Sequence, residues 1–450
     1  MSDTIAGVPF WTVRFDDQGD GDPANADVIT RIAAAGLTDV VLFSHGWNNS
    51  HDDAANLYRA WFGQLVPQLA HAHPGTKVGL VGIFWPSQRW SDEPIPDFTP
   101  TPAAGPGGAA GLTTTTGYDY VATLSKADMA SLTATFPGHE ADISQLESFL
   151  AGPPTVAAMN EFKEILGRLI PSSHADGGDD LDDIPPAMLA DDAVTVFTRY
   201  TNALVNSGAR LQGSGGGAAG LGEALSKLWN GAKEALRGTT YWQMKNRASL
   251  IGRTGVARFI TSLSAAAPTV RIHLVGHSFG ARLVSSTLLG IEHSPSPVKS
   301  VTLLQGAFSH FAFSDSLPFA PSRKGALSGR LAMIDGPLVV AYSKFDRAVG
   351  TFYPLASMAS GDDAAGLADP VLFRFGGMGF DGAKGLPTTD VAIKTAGVGT
   401  TYPCAPHAVL NVDAAHVVCR DDNPSGAHSD IVHPELTWLM LCAGGIVDSH

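Results

Sequence analysis

The chain has 450 residues, with 29 basic against 43 acidic side chains and a formal net charge of −14. That balance, with no Lys/Arg run, argues against a nucleic-acid partner, and three cysteines placed late argue against a disulfide framework. Hydrophobic residues at 44% against 16% charged describe a globular chain, long enough for one large domain with an insertion or for two or three domains.

The opening stretch MSDTIAGVPFWTVRFDDQGD lacks the basic and apolar regions of a secretory signal. Late in the chain, IVHPELTWLMLCAGGIV is apolar but is interrupted by His433, Pro434 and Glu435 and is too short to span a bilayer. A soluble, cytoplasmic protein without a transmembrane segment is expected.

In chain order, the first strong strand signal is DVVLFSHG (39–46). A helix should follow at Ser50, whose side chain suits an N-cap with Asp53 at the N3 position. The next strand is KVGLVGIFWPS (77–87). Residues 91–240 then break the rhythm. They open Pro- and Gly-rich, close near GSGGGAAGLG (213–222), and carry four amphipathic helix patterns at 139–151, 154–170, 186–206 and 219–236. A helix is expected over 241–266, a strand at 270–276, and a helix starting at 279 directly on that strand's end. Further strands are expected at 298–306, 337–343 and 414–420, with a Gly-rich excursion at 347–412 between the last two. These strands are near-continuous apolar runs, the mark of burial on both faces in a parallel sheet. Alternation with helices indicates an α/β fold with a mostly parallel central sheet. Residues 1–90 and 241–450 form its core, and 91–240 a mainly helical insertion able to serve as a cap or lid.

The stretch VRIHLVGHSFGARLVSS (270–286) carries G-H-S-F-G between a strand and a helix. In a Gly-rich chain the bare pattern is weak, so context decides. A nucleophile elbow needs small residues around a strained serine, and Gly276, Gly280 and Ala281 supply them around Ser278. One oxyanion donor would be the backbone N–H of Phe279 at the helix start. The other would be that of Trp47, after Gly46 in LFSHGW, with His45 ordering this loop. Asp346, just past the strand at 337–343, fits the acid, with an exposed turn aspartate as its alternative reading; Asp335, before that strand, reads as a turn former. His428, in a loop beyond the last strand, fits the base. His416 reads as structural, and His433 before Pro434 as a neighbour of a helix N-cap. His277 reads as a packing residue. Cys404, His407 and Cys419 lack a fourth ligand at standard spacing, so no metal centre is expected.

Taken together, these features resemble the α/β-hydrolase superfamily over residues 35–90 and 240–445. More narrowly, HGWNNS, FWPS and GHSFGARL look like a bacterial family of poorly characterised serine hydrolases. That family reads His-Gly-Tyr-Asn-Asn where this chain has His45-Gly46-Trp47-Asn48-Asn49, and Trp-Pro-Ser where it has Trp85-Pro86-Ser87. The resemblance implies Ser278 as nucleophile, Asp346 as acid, His428 as base, and Trp47 and Phe279 as oxyanion amides, with no cofactor. A serine at the elbow sets the chain apart from the dehalogenase and epoxide-hydrolase branches, which use aspartate there. The insertion is longer than the family leads one to expect, which bears on substrate scope. The substrate expected is a small-molecule or lipid-like carboxylic ester. A lipase, thioesterase or amidase, or a non-catalytic binding module on the same fold, are the alternatives. Phe308, Phe311, Phe313 and Phe319 either wall an acyl pocket or simply pack.

Overall fold

A computed structural model describes residues 3–87, 90–91, 118–170, 189, 191–206, 209–211, 221–292, 296–352, 374, 376–393, 398–420 and 425–448. Its strands and helices follow the chain as β1 (Asp3–Ile5), β2 (Val8–Arg14), α1 (Asn25–Ala34), β3 (Asp39–Ser44), α2 (His51–Leu65) and β4 (Val78–Phe84). Next come β5 (Tyr118–Tyr120), α3 (Lys126–Thr135), α4 (Glu140–Ala151), α5 (Val156–Leu169), α6 (Ala193–Asn206), β6 (Ala209–Leu211) and α7 (Leu221–Ile251). The rest are α8 (Ala257–Ala266), β7 (Arg271–His277), α9 (Phe279–Thr287), β8 (Val298–Leu304), β9 (Leu338–Tyr342), β10 (Thr389–Ala392), β11 (Val409–Asp413) and a C-terminal helix, Pro434–Ala443.

The expected α/β architecture is present. One nine-stranded sheet runs β1-β2-β4-β3-β7-β8-β9-β11-β10. Its β1–β2 pair is antiparallel, and the other pairs are parallel. The two faces follow from alternation along each strand. Val40, Leu42, Ile272, Leu274, Val301 and Leu303 face a core shared with α8 and α9. Val41, Phe43, Val275, Leu304, Val339 and Ala341 face one shared with α2 and the C-terminal helix. Both faces are covered, which is why these strands read as continuous apolar runs. The chain passes from β3 to β4 on one side, and β7 returns to pair with β3 on the other. This makes the β3/β7 boundary the topological switch point, where the carboxyl ends of strands open a crevice.

Ser50 caps α2 as expected: its hydroxyl accepts from the Asp53 N–H, and the Asp53 carboxylate accepts from the Ser50 N–H. The insertion's helices build a core of their own, with Leu132, Ile143, Leu146, Phe162, Leu166, Phe197 and Trp229 buried together. Helix α7 runs through position 240 without a break. Its Trp229, Ala232 and Leu236 belong to that second core, while Met244, Ala248 and Ile251 belong to the sheet's core.

Some elements differ from the sequence reading. The last strand of the main sheet is β11 at Val409–Asp413, not 414–420. Residues 414–418 turn instead, with the N–H groups of Val417 and Val418 both bonded to the Ala414 carbonyl. The apolar side chains there pack the turn into the core rather than extend a strand. His416 therefore lies in a turn. Strands β1, β2 and β10 and helices α1 and α3 carried no recognised signal. Residues 92–117 and 212–220, and 353–373 in the Gly-rich excursion, lie outside the described residues. Among the described residues no helix is long and apolar enough to cross a membrane.

Candidate active site

The strand–turn–helix around Ser278 is built by close approach. Ser278 sits at φ 57° and ψ −122°, a conformation that costs an L-residue about 1–3 kcal/mol and persists only when its surroundings enforce it. A Cβ on Gly276 would lie 2.4 Å from the Gly280 carbonyl oxygen, and one on Gly280 would lie 2.1 Å from that of Ser44. One on Gly46 would lie 2.7 Å from the Ser278 Cβ. These three glycines let β7, α9 and the loop after β3 meet at one point. The turn is held by the Ser278 N–H donating to the Leu304 carbonyl and the Ala307 N–H donating to that of Ser278.

Against this serine lie His428 and Asp346. His428 Nε2 is 2.8 Å from Ser278 Oγ, and His428 Nδ1 is 2.8 Å from Asp346 Oδ2. A carboxylate only accepts, so Nδ1 carries the proton and Nε2 is free to accept from the serine hydroxyl. Asp346 is fully buried just past β9, and its Oδ1 accepts from the Val349 N–H. The His428 loop is bound to the Asp346 turn by an antiparallel bridge between Asp346 and Gly426 and by the Ala427 N–H donating to the Phe345 carbonyl. Ser278 as a residue retains 6% exposure.

The loop after β3 is fastened to the end of β4. Trp85 Nε1 donates to the His45 carbonyl at 3.0 Å, and Ser87 Oγ donates to that of Asn49 at 2.7 Å. Asn49 Nδ2 donates to the carbonyls of Gly46 and Trp47. His45 donates from Nδ1 to the Gly46 carbonyl and stacks on Trp85. Burial pushes its imidazole down to about 4, so it orders this loop as a neutral ring. The HGWNN and WPS motifs are thus two halves of one hydrogen-bonded unit, and the contributions of Asn49, Trp85 and Ser87 were not legible from spacing. Among the described residues, the N–H groups of Trp47 and Phe279 have no acceptor. The Trp47 and Phe279 rings pack 6.0 Å apart, and Tyr241 of α7 packs on both.

Other sequence candidates fall elsewhere. His433 is itself the N-cap of the C-terminal helix and bonds Asp430 at 2.9 Å. Asp335 lies ahead of β9 and pairs with Lys299. Phe308 and Phe313 belong to the sheet's core, whereas Phe311 and Phe319 pack on each other. Among the described residues, no cluster of three His, Cys, Asp or Glu is placed to hold a metal ion. A second Ser-His-Asp row exists: His273 bonds Ser300 Oγ and Asp39 Oδ1, each at 2.9 Å. All three residues are 0% exposed within the sheet, so no substrate reaches them. Compared with known proteins, the chain matches no family model, no curated protein and no solved structure.

Proposed function

We propose that this chain is a serine hydrolase of the α/β-hydrolase superfamily, of the bacterial group its HGWNN, WPS and GHSFG motifs resemble, and that it cleaves carboxylic esters. The observation that carries the reading is the row of two 2.8 Å bonds linking Asp346, His428 and Ser278 at a strained elbow, beside two backbone N–H groups that have no acceptor among the described residues.

Ser278 Oγ attacks the ester carbonyl carbon while His428 Nε2 takes the hydroxyl proton. Asp346 orients the imidazole and stabilises its charged form. The oxygen that gains charge is held by the Trp47 and Phe279 amides, the second reinforced by the N-terminal end of α9. As the tetrahedral species collapses, His428 returns the proton to the departing alcohol and leaves an acyl-serine. Water, deprotonated by the same Nε2, then attacks the acyl carbon. Ser278 recovers its proton and the carboxylic acid leaves. In this reading the described helices of 91–240 form a cap, held to the site by Trp47, which packs against both cores.

The test is labelling by a fluorophosphonate probe of wild type and Ser278→Ala side by side, followed by a panel of p-nitrophenyl esters. Labelling of wild type alone, with turnover of at least one ester, supports the reading. Equal labelling of both proteins, or of neither, overturns it.

A further inference from the structure

His277, the residue before the nucleophile, ends β7 and is 3% exposed. Its Nε2 lies 2.8 Å from the main-chain oxygen of His428, and the two rings are 4.9 Å apart. A carbonyl oxygen only accepts, so Nε2 carries the proton. Its Nδ1 is buried without a hydrogen-bond partner, as a bare ring nitrogen can be. Burial, with the neighbouring His428, pushes this imidazole down to about 3, so the neutral Nε2–H form persists at any ordinary pH.

We propose that His277 is a positioning residue for the catalytic base, holding the His428 carbonyl so that the His428 ring stays aligned between Ser278 Oγ and Asp346 Oδ2. The inference rests on the hydrolase reading above. His428 lies in a single short turn, Ala427–Ser429, rather than in a long helix or a strand. Its neighbours are secured on either side. Ala427 bonds the Phe345 carbonyl, and the Asp430 carboxylate accepts from the N–H groups of Cys419 and Arg420 and from His433 Nε2. Among the described residues, His277 alone ties the base's own backbone to β7, the strand that ends at the nucleophile. The Nε2–Oγ distance is thereby fixed by two adjacent residues of one strand end. Neutrality matters as well: when His428 becomes an imidazolium during attack, a second positive ring 4.9 Å away would oppose it, and a neutral one does not.

Packing alone and hydrogen bonding make different predictions for two variants. His277→Leu keeps bulk and removes the donor. His277→Gln places an amide N–H close to the position of Nε2 and cannot titrate. The readout is the second-order rate of fluorophosphonate labelling at Ser278, which needs no knowledge of the natural substrate. Misplacing a base by a fraction of an ångström should slow His277→Leu by about 10–100-fold and leave His277→Gln within about threefold of wild type. With an ester from the panel, the loss in His277→Leu should fall in kcat, with KM unchanged within about twofold. Wild-type labelling of His277→Leu overturns the role. So does a His277→Gln slowed tenfold or more while its thermal unfolding matches wild type, and that arm decides alone if the leucine variant does not fold. A wild type that is never labelled overturns the hydrolase reading, and this role with it.

Discussion

Acid should destabilise this protein earlier than its carboxylates require, because imidazoles beside the site are buried as neutral rings. His45 is pushed from 6.5 down to about 4 and His277 from 6.5 down to about 3, in both cases chiefly by burial. Both shifts are depressions. The unfolded chain therefore binds protons below about pH 6.5 that the folded chain refuses, and stability falls as pH drops through that window. From pH 7 to pH 5 each ring should cost about 2 kcal/mol, or about 4 kcal/mol together, against a typical total of about 5–15 kcal/mol. His273 is lowered as well, again first by burial, and adds to the same slope. Urea unfolding followed by tryptophan fluorescence at half-unit steps from pH 7.5 to 5 measures the slope. His277→Gln isolates one ring, and its curve should lose about 2 kcal/mol less than wild type over pH 7 to 5. Parallel curves for the two proteins would show that His277 is not held neutral, and the burial argument would fail.

Four further perturbations probe the site and its frame. Asp346→Asn keeps the shape but invites the wrong imidazole tautomer, so the labelling rate at Ser278 should drop by about 10⁴-fold with the fold unchanged by circular dichroism. Gly280→Ala drives a Cβ to 2.1 Å from the Ser44 backbone oxygen, and should cost about 3 kcal/mol or more in thermal or urea unfolding. Gly63→Ala, in α2 with nothing near its Cβ, should be neutral or stabilise by up to about 1 kcal/mol in the same assay. His273→Leu strips one partner from the buried Asp39. Burial raises that carboxyl, yet bonds from His273, Arg271 and Thr38 outweigh it and keep it lowered. Loss of one bond should destabilise by about 1–3 kcal/mol and leave Ser278 labelling of the folded protein unchanged.

That last contrast bears on what a sequence can and cannot tell. The elbow was legible because its requirements are local: a strand, three small residues at fixed offsets from Ser278, and a helix. The capping box at Ser50 and Asp53 was legible for the same reason. The final strand was misplaced because Ala414, Val417 and Val418 are as apolar as a buried strand yet pack from a turn. Nothing in their order separates the two, and only pairing with β9 does so, which selects Val409–Asp413. The long helix α7 crosses from one core to the other because its apolar face continues past position 240 and changes only its partners, a change no periodicity records. The fastening of His45-Gly46-Trp47 to Trp85 and Ser87 is invisible for a related reason: it depends on β3 and β4 lying side by side.

The row formed by Asp39, His273 and Ser300 sharpens the point. It has the same residue types as the row at Ser278 and nearly the same distances, though its three residues lie on the adjacent strands β3, β7 and β8. What separates the two rows is position along the strands. The first lies buried within the sheet, where the carboxylate is bound by His273, Arg271 and Thr38 and the ring also bonds Ser300. The second lies at the carboxyl ends beside the β3/β7 switch point, where the backbone turns away, two N–H groups go unspent among the described residues and the serine keeps a sliver of exposure. In the proposed reading, chemistry at Ser278 rests on the end of the strand as much as on the identity of its residues. The glycines at 46, 276 and 280, which carry no reactive atom, are what bring that end, the loop after β3 and helix α9 close enough to form it.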